Sequence, residues 1–391
     1  MSSFGNKYLS HCVDILAELV SFDVLGGQSN LTIADHISSF LKDRGIDTIR
    51  LYNDEKSKYS IHARIGPSTD GGVILSGHTD VVPVAGQNWS TPPFTLTKKE
   101  QKYYARGSAD MKGFLACCLT CVEHFQSMAL KKPVYLAFSY DEEIGCLAAP
   151  ELAGHMKQYY KENPAFAIIG EPTRMEIVVG QKGICVLETT VRGSAGHSSR
   201  IRDEVSAIHV ASRLIQWLEQ KMNNLYDAGH TDYRFHPPHT SIHVGQISGG
   251  IAPNVIADHC SFKWDVRTIP RDKVDDIVSD FETYCMTYLE ELRLRFPDAS
   301  ITTRVDHPAV PPLDTPDHAE VVTVMKALTG ENKLTTVSYA AEAGQFAEAG
   351  FSAVIYGPGD IAQAHRADEF IEEDQLIDYL NFLNNLSDYL C

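Results

Sequence analysis

Residues 73–80 read Val-Ile-Leu-Ser-Gly-His-Thr-Asp, a short apolar run that ends on a histidine and an acid two positions apart. The run from Val73 to Leu75 predicts a buried strand. In extended chain, residues i and i+2 share a side, so His78 and Asp80 can face one place together. Two later runs repeat the plan. Residues 134–138 precede Asp141-Glu142-Glu143, and residues 166–169 precede Gly170-Glu171. Between the opening run and the one at 134–138, residues 111–125 set Met111, Phe114, Leu115, Cys118, Val122 and Phe125 on one helical face. Ile33, Ile37, Phe40 and Leu41 also recur at helical spacing, with Gly45 as a stop. Strands alternating with helices predict an α/β fold whose central sheet is mostly parallel, with helices on both sides.

The pattern changes near residue 182. Strand-like runs at 184–191, 240–247, 258–267 and 299–306 combine with helical runs at 204–221 and 271–295. Their order, β-α-β-β-α-β, is that of a ferredoxin-like module. After Pro308, Pro311 and Pro312 the helix–strand alternation resumes. The expected plan is one catalytic domain split into residues 1–181 and 309–391, interrupted by a smaller domain at 182–308.

Composition limits the function classes. The chain has 391 residues, 34 Lys plus Arg against 51 Asp plus Glu, and a formal charge of −17. Nucleic-acid affinity comes largely from cationic contacts to phosphates, so a nucleic-acid partner is not expected. An anionic membrane surface is disfavoured for the same reason. No apolar run approaches the length of about 18 residues that a spanning helix needs, and the amphipathic N-terminus does not read as a signal peptide. Cysteines number nine, an odd count, mostly inside apolar runs. Reduced, buried thiols in a cytoplasmic protein are the expected reading, with the Cys118/Cys121 pair as packing.

The candidate chemistry sits where the strands end. His78, Asp110, Glu143, Glu171 and His365 are mixed nitrogen and oxygen donors without thiolate, a set that suits Zn²⁺, Co²⁺ or Mn²⁺. Three carboxylates and a bridging hydroxide would balance two divalent cations. Each signal alone has an ordinary alternative. His78 and His365 read as loop histidines, Asp110 as a helix N-cap, Asp141-Glu142-Glu143 as a solvated acidic loop and Glu171 as part of a surface turn. Adjacent strand residues point oppositely, so Glu142 and Glu143 share a site only if the chain turns, and Gly145 permits a turn.

The ordered motifs GHTDVVP (77–83), ARGSADMKG (105–113), DEE (141–143), GEPT (170–173), GHSS (196–199), APN (252–254) with DVR (265–267), and GPGDIAQAH (357–365) resemble the aminoacylase and carboxypeptidase family of di-zinc amidohydrolases. The resemblance implies two Zn²⁺ per subunit, with Co²⁺ as a substitute. It assigns His78, Asp110 and Glu171 to one metal, and Asp110, Glu143 and His365 to the other. Glu142 becomes the general base and Asp80 the carboxylate partner of His78. The insert becomes a lid and homodimerisation domain, and His197 reaches the partner subunit's site to stabilise an oxyanion. Asn254 and Arg267 match positions that contact the substrate and its carboxylate. The implied substrate is a small N-acyl amino acid, with acetate and L-ornithine the expected products. Desuccinylation of succinyl-diaminopimelate, an aminoacylase or dipeptidase activity, and a non-catalytic binding role are the alternatives. The segment Ser338-Tyr339-Ala340-Ala341-Glu342-Ala343 favours the first over desuccinylation. Glu342 is expected near the substrate, facing its side-chain ammonium, or else as a surface helix start.

Overall fold

The computed structural model describes residues 3–391. The chain forms two compact units. One comprises the residues up to Gly180 with Leu313–Thr336 and Ala341–Cys391; the other is Gln181–Pro312 with Val337–Ala340. The second unit thus takes in a short segment, 337–340, that no composition change marks.

The first unit is built on a nine-stranded sheet. At its centre, Val134–Ser139, Val73–His78, Phe166–Ile169 and Ser352–Ile355 lie side by side and parallel. Antiparallel strands flank them. Tyr59–Ile65 and Thr48–Tyr52 lie on one side and Ile177–Gln181 on the other. The strand Tyr59–Ile65 was not expected, because His62 and Arg64 interrupt its apolar pattern. His62 is nevertheless fully buried, 2.8 Å from the Tyr160 hydroxyl and 3.0 Å from His155 Nδ1. Burial pushes its pKa down to about 3, so it is a neutral core histidine.

Side chains alternate across the sheet. Val73, Leu75, Val134, Leu136, Phe138 and Ile168 join a large core with helices Phe4–Ser21, Leu31–Asp43, Lys112–Thr120, Glu320–Thr329 and Glu373–Leu390. Ile74, Tyr135 and Ala137 point away from it; Ala149–Tyr159 packs against the strand bearing Tyr135, and Ala343–Glu348 against Phe166–Ile169, two strands further along the sheet. The helix expected at 111–125 is interrupted at Cys121. Thr120 Oγ1 bonds back to the Ala116 carbonyl at 2.7 Å, a contact that bends helices. All described cysteines are free, and all but Cys391 are buried.

Phe114 is fully buried against the ends of two site-bearing strands. A Cβ on Gly170 would lie 2.0 Å from its ring, and one on Gly77 would lie 3.0 Å from it. Glycine therefore precedes both His78 and Glu171 so that the ring can lie flush beneath them. Burying such a ring contributes about 1.5–3 kcal/mol.

In the second unit, Gly183–Arg192, Ser241–Gly249, His259–Thr268 and Ser300–Val310 form an antiparallel sheet, with Ala207–Asp227 and Val274–Arg293 as its helices. Gly183–Arg192 and His259–Thr268 are the inner strands. That order and connectivity are ferredoxin-like. Leu187, Val191, Phe262, Trp264 and Val266 fill the core from the sheet, and Leu214, Leu218, Ile277 and Phe281 from the helices.

Candidate metal centre

The candidate site lies at the carboxyl ends of the four parallel strands, where open α/β sheets place their chemistry. His78 ends its strand; Glu142 and Glu143 follow Val134–Ser139; Glu171 follows Phe166–Ile169; His365 lies beyond Ser352–Ile355. Asp110 comes from the approach to helix Lys112–Thr120. The N-cap of that helix is Met111, with no side-chain capping bond, so Asp110 is not spent as a cap.

Asp110 sits between two histidines. Its Oδ1 is 3.2 Å from His78 Nε2, and its Oδ2 is 3.4 Å from His365 Nε2. One carboxylate thus offers each oxygen to a different imidazole, the arrangement a bridging ligand needs. Glu143 Oε2 lies 2.9 Å from His365 Nε2, and Glu171 Oε1 lies 4.0 Å from His78 Nε2. Among the described residues, buried Glu171 Oε1 has no hydrogen-bond partner. An orphaned buried carboxylate oxygen beside an imidazole nitrogen fits a cation ligand. Geometry also groups His78, Asp110 and Glu143, and groups His78, Glu142 and Glu171, as sets able to hold an ion. The second set makes Glu142 a competing ligand.

Electrostatics point the same way. Burial, reinforced by neighbouring carboxylates, raises the pKa of Glu171 well above normal, and raises Glu143 as well. Glu142 is pushed up to about 8 by burial, against the opposing pull of His78. Hydrogen bonds to Asp110 and Glu143 raise His365 to about 10. Burial opposes ionisation of Asp110, but its bonds to His365 and His78 hold it below the usual range. Such crowding of acids is relieved by cations, and the donor set present fits two.

The turn that lets Glu142 and Glu143 share the site is made at Asp141 as well as at Gly145. Asp141 adopts φ +56°, unusual for a non-glycine residue. Its carboxylate is fixed by an ion pair with buried Lys58 and accepts from the Gly27 N–H at 2.8 Å. Neither partner is signalled in the sequence.

Asp80 differs from expectation. His78 Nδ1 lies 2.9 Å from the Asp80 backbone carbonyl, whereas the carboxylate oxygen is 3.5 Å away. The carboxylate is occupied elsewhere: it accepts the N–H groups of Glu142 and Glu143, each at 3.2 Å. Asp80 therefore orients His78 through its main chain and anchors the Glu142–Glu143 turn through its side chain.

Glu342 is not a surface helix start. It is 1% exposed, and its carboxylate accepts from the hydroxyls of Ser139 and Ser76. Burial raises its pKa against the bond from Ser139, and its charge raises Glu142 in turn. Glu369, which the sequence reading passed over, is fully buried. It accepts the Ala109 and Asp110 N–H groups at 2.9 and 3.1 Å and pairs with Arg106 at 2.7 Å. Its place four residues after His365 was the available signal.

In the second unit, His197 and Asn254 come together. The Ser198 N–H donates to the Asn254 carbonyl at 3.0 Å, and the strand Gly196–His197 pairs with Val255–Ile256. His197 Nδ1 accepts the Ser199 N–H at 3.2 Å, which leaves Nε2 to carry the proton of the neutral ring. Arg267, on strand His259–Thr268, lies 3.4 Å from Asp265 and donates to the Ser338 carbonyl at 3.5 Å.

A sequence model of the family described as "Peptidase family M20/M25/M40" matches residues 74–388. The chain is 33% identical over 350 residues to an acetylornithine deacetylase of Pectobacterium carotovorum subsp. carotovorum (strain PC1), covering 88% of this chain and 87% of the relative. Its fold is similar to that of the M20 family metallo-carboxypeptidase Sso-CP2 from Sulfolobus solfataricus, with TM-score 0.76 at 18% identity over 97% of this chain and 99% of the other. It is also similar to a dinuclear metal-binding M20 peptidase of Bacillus subtilis, with TM-score 0.61 at 14% identity over 97% and 98% of the two chains.

Proposed function

The chain belongs to peptidase family M20/M25/M40, a family of hydrolases acting on amide bonds, and from that premise we propose that it hydrolyses N-acetyl-L-ornithine to L-ornithine and acetate, a step of arginine biosynthesis. The observation carrying this reading is Asp110, split between His78 and His365 with Glu171 and Glu143 on either side. The names of the relatives support the choice of substrate.

His78, Asp110 and Glu171 would hold one divalent cation, and Asp110, Glu143 and His365 the other, with Zn²⁺ expected and Co²⁺ a substitute. Bound there, such cations polarise an acyl carbonyl and acidify water. Everything else falls to the protein. Glu142 accepts the proton of the attacking water; its burial favours the protonated form and so its role as acceptor. It then returns that proton to the departing amine. Asp80 keeps Glu142 in place by its main-chain N–H. His197 donates from Nε2 to the oxyanion, and Arg267 and Asn254 bind the amino-acid end, where the planar guanidinium suits a carboxylate. Glu342, with both oxygens bonded to serines, acts on the substrate ammonium through its field.

Residues 182–308 are the proposed homodimer surface. The edge strand Ser241–Gly249 and the turn after it expose Ile247 and Ile251, the latter 87% exposed. Buried free thiols suit a cytoplasmic setting. Among the described residues no helix is long and apolar enough to cross a membrane. The substrate is tested by comparing N-acetyl-L-ornithine, N-succinyl-diaminopimelate and short dipeptides under equal metal loading. The highest kcat/KM is expected for N-acetyl-L-ornithine; a preference for either other class would replace that substrate with it.

A further inference from the structure

The ligands of the proposed centre are not equally anchored. His78 and Glu171 continue buried strands, but His365 stands on a loop, has φ +62° and is 56% exposed at its side chain. Its ring meets Glu143 and Asp110, and its main chain is held by a side chain remote in sequence. Gln87 Nε2 donates to the His365 carbonyl at 2.9 Å.

The orientation of that amide is set by chemistry. Gln87 Oε1 accepts from Arg106 Nη2 at 2.6 Å and from Trp89 Nε1 at 3.1 Å. Guanidinium and indole N–H groups only donate, so the oxygen must face them and the NH₂ must face His365. Arg106 is itself buried and committed on its other arm to Glu369 Oε2, while Glu369 Oε1 holds the Ala109 and Asp110 N–H groups. A continuous chain of hydrogen bonds therefore runs from the backbone of Asp110 through Glu369, Arg106 and Gln87 to the backbone of His365. It joins the bridging ligand to the most exposed ligand and does not pass through His78 or Glu171. The neighbouring Ser90 N–H, which donates to Asp368 Oδ1 at 2.8 Å, ties the same two loops.

We propose that Gln87, oriented by Arg106 and Trp89, is a positioning residue for His365, so that it governs affinity at the Asp110–Glu143–His365 half of the centre and leaves the His78–Asp110–Glu171 half unaffected. This rests on the two-cation reading above. Loss of such an outer partner typically weakens metal affinity about 10- to 100-fold.

The test is calorimetric titration of the metal-stripped full chain with Co²⁺, with the visible spectrum followed at each equivalent. Wild type is expected to take up two cations. Gln87→Ala should bind the first with unchanged affinity and the second about 10- to 100-fold more weakly, with its own spectral change displaced to higher Co²⁺. Gln87→Met, which keeps the length but has no donor, should behave the same; both variants also deprive buried Arg106 of an acceptor, so the stripped protein should melt somewhat lower while its first cation binds as in wild type. Wild-type affinity for both cations in either variant overturns the proposal. So does equal weakening of both, or a lowered metal-free melting point with both weakened, since Gln87 would then be merely structural. A wild-type protein that binds only one cation fails before any variant is compared, and it removes the two-cation reading together with the proposal.

Discussion

Glu142→Gln separates the two roles the geometry allows that side chain. The substitution is nearly isosteric. Cys146 Sγ lies 3.2 Å from Glu142 Oε1 and can still donate to the amide oxygen, and the main-chain anchor on Asp80 is untouched. The proton acceptor, however, is gone. General-base catalysis is worth about 10²–10⁴-fold, which at about 1.4 kcal/mol per decade is roughly 3–5 kcal/mol of barrier. Metal content should not change. Glu142 Oε2, at 3.9 Å from His78 Nε2, is as near as Glu171 Oε1 at 4.0 Å, but Cys146 Sγ donates to the Glu142 carboxylate while buried Glu171 Oε1 has no partner among the described residues, so Glu171 is assigned as the ligand. The assay pairs initial rates on N-acetyl-L-ornithine with metal content by plasma mass spectrometry, using His78→Ala as the metal-loss control. A fall in kcat with both cations retained is expected. Cation loss equal to that of His78→Ala would make Glu142 a ligand and refute the assignment; a rate within a few-fold of wild type would refute the base.

The stripped protein should lose stability as pH rises. Glu142 titrates at about 8 when folded against an ordinary 4.5, and His365 at about 10 against 6.5, so each holds in the folded state a proton that the unfolded chain releases at lower pH. Asp110, shifted the other way, matters only in acid. The melting-point gap between loaded and stripped protein should therefore widen from about pH 5 to about pH 8, and a constant or shrinking gap would contradict the electrostatic account. Mixed Glu142→Gln and His197→Ala subunits should regain part of the activity after subunit exchange if His197 serves the partner's site; an inactive mixture after verified exchange counts against that. Glu342→Gln should reduce the preference for N-acetyl-L-ornithine over N-acetyl-norvaline, and an unchanged ratio would end its proposed role.

The strands that carry the site were legible because each is a short apolar run stopped by an acid or histidine. Val73–His78, Val134–Ser139 and Phe166–Ile169 are buried on both faces, so nothing but the terminal polar group breaks their pattern. Tyr59–Ile65 escaped because a buried neutral histidine looks polar in sequence. The helices and strands of the second unit were visible through clean alternation and amphipathic periodicity, as in Gly183–Arg192. Side chains with a chemical signature in the sequence, His78, Asp110, Glu142, Glu143 and His365, lie together in the structure. What remained hidden depends on backbone partners. Asp80 binds two N–H groups, Asp141 adopts a left-handed conformation fixed by distant Lys58, and Glu369 and Gln87 act on main-chain atoms of other loops. Main-chain atoms are the same at every position, so no residue pattern announces such contacts.

Two cations, held by the side chains around Asp110, should be required for amide hydrolysis. The most direct test of this requirement is stepwise reconstitution of the chelator-stripped chain with Zn²⁺ while L-ornithine release from N-acetyl-L-ornithine is followed. Negligible turnover without metal, and recovery complete by two equivalents, is predicted. Full turnover by the stripped protein, or no turnover after both cations are bound, would contradict it.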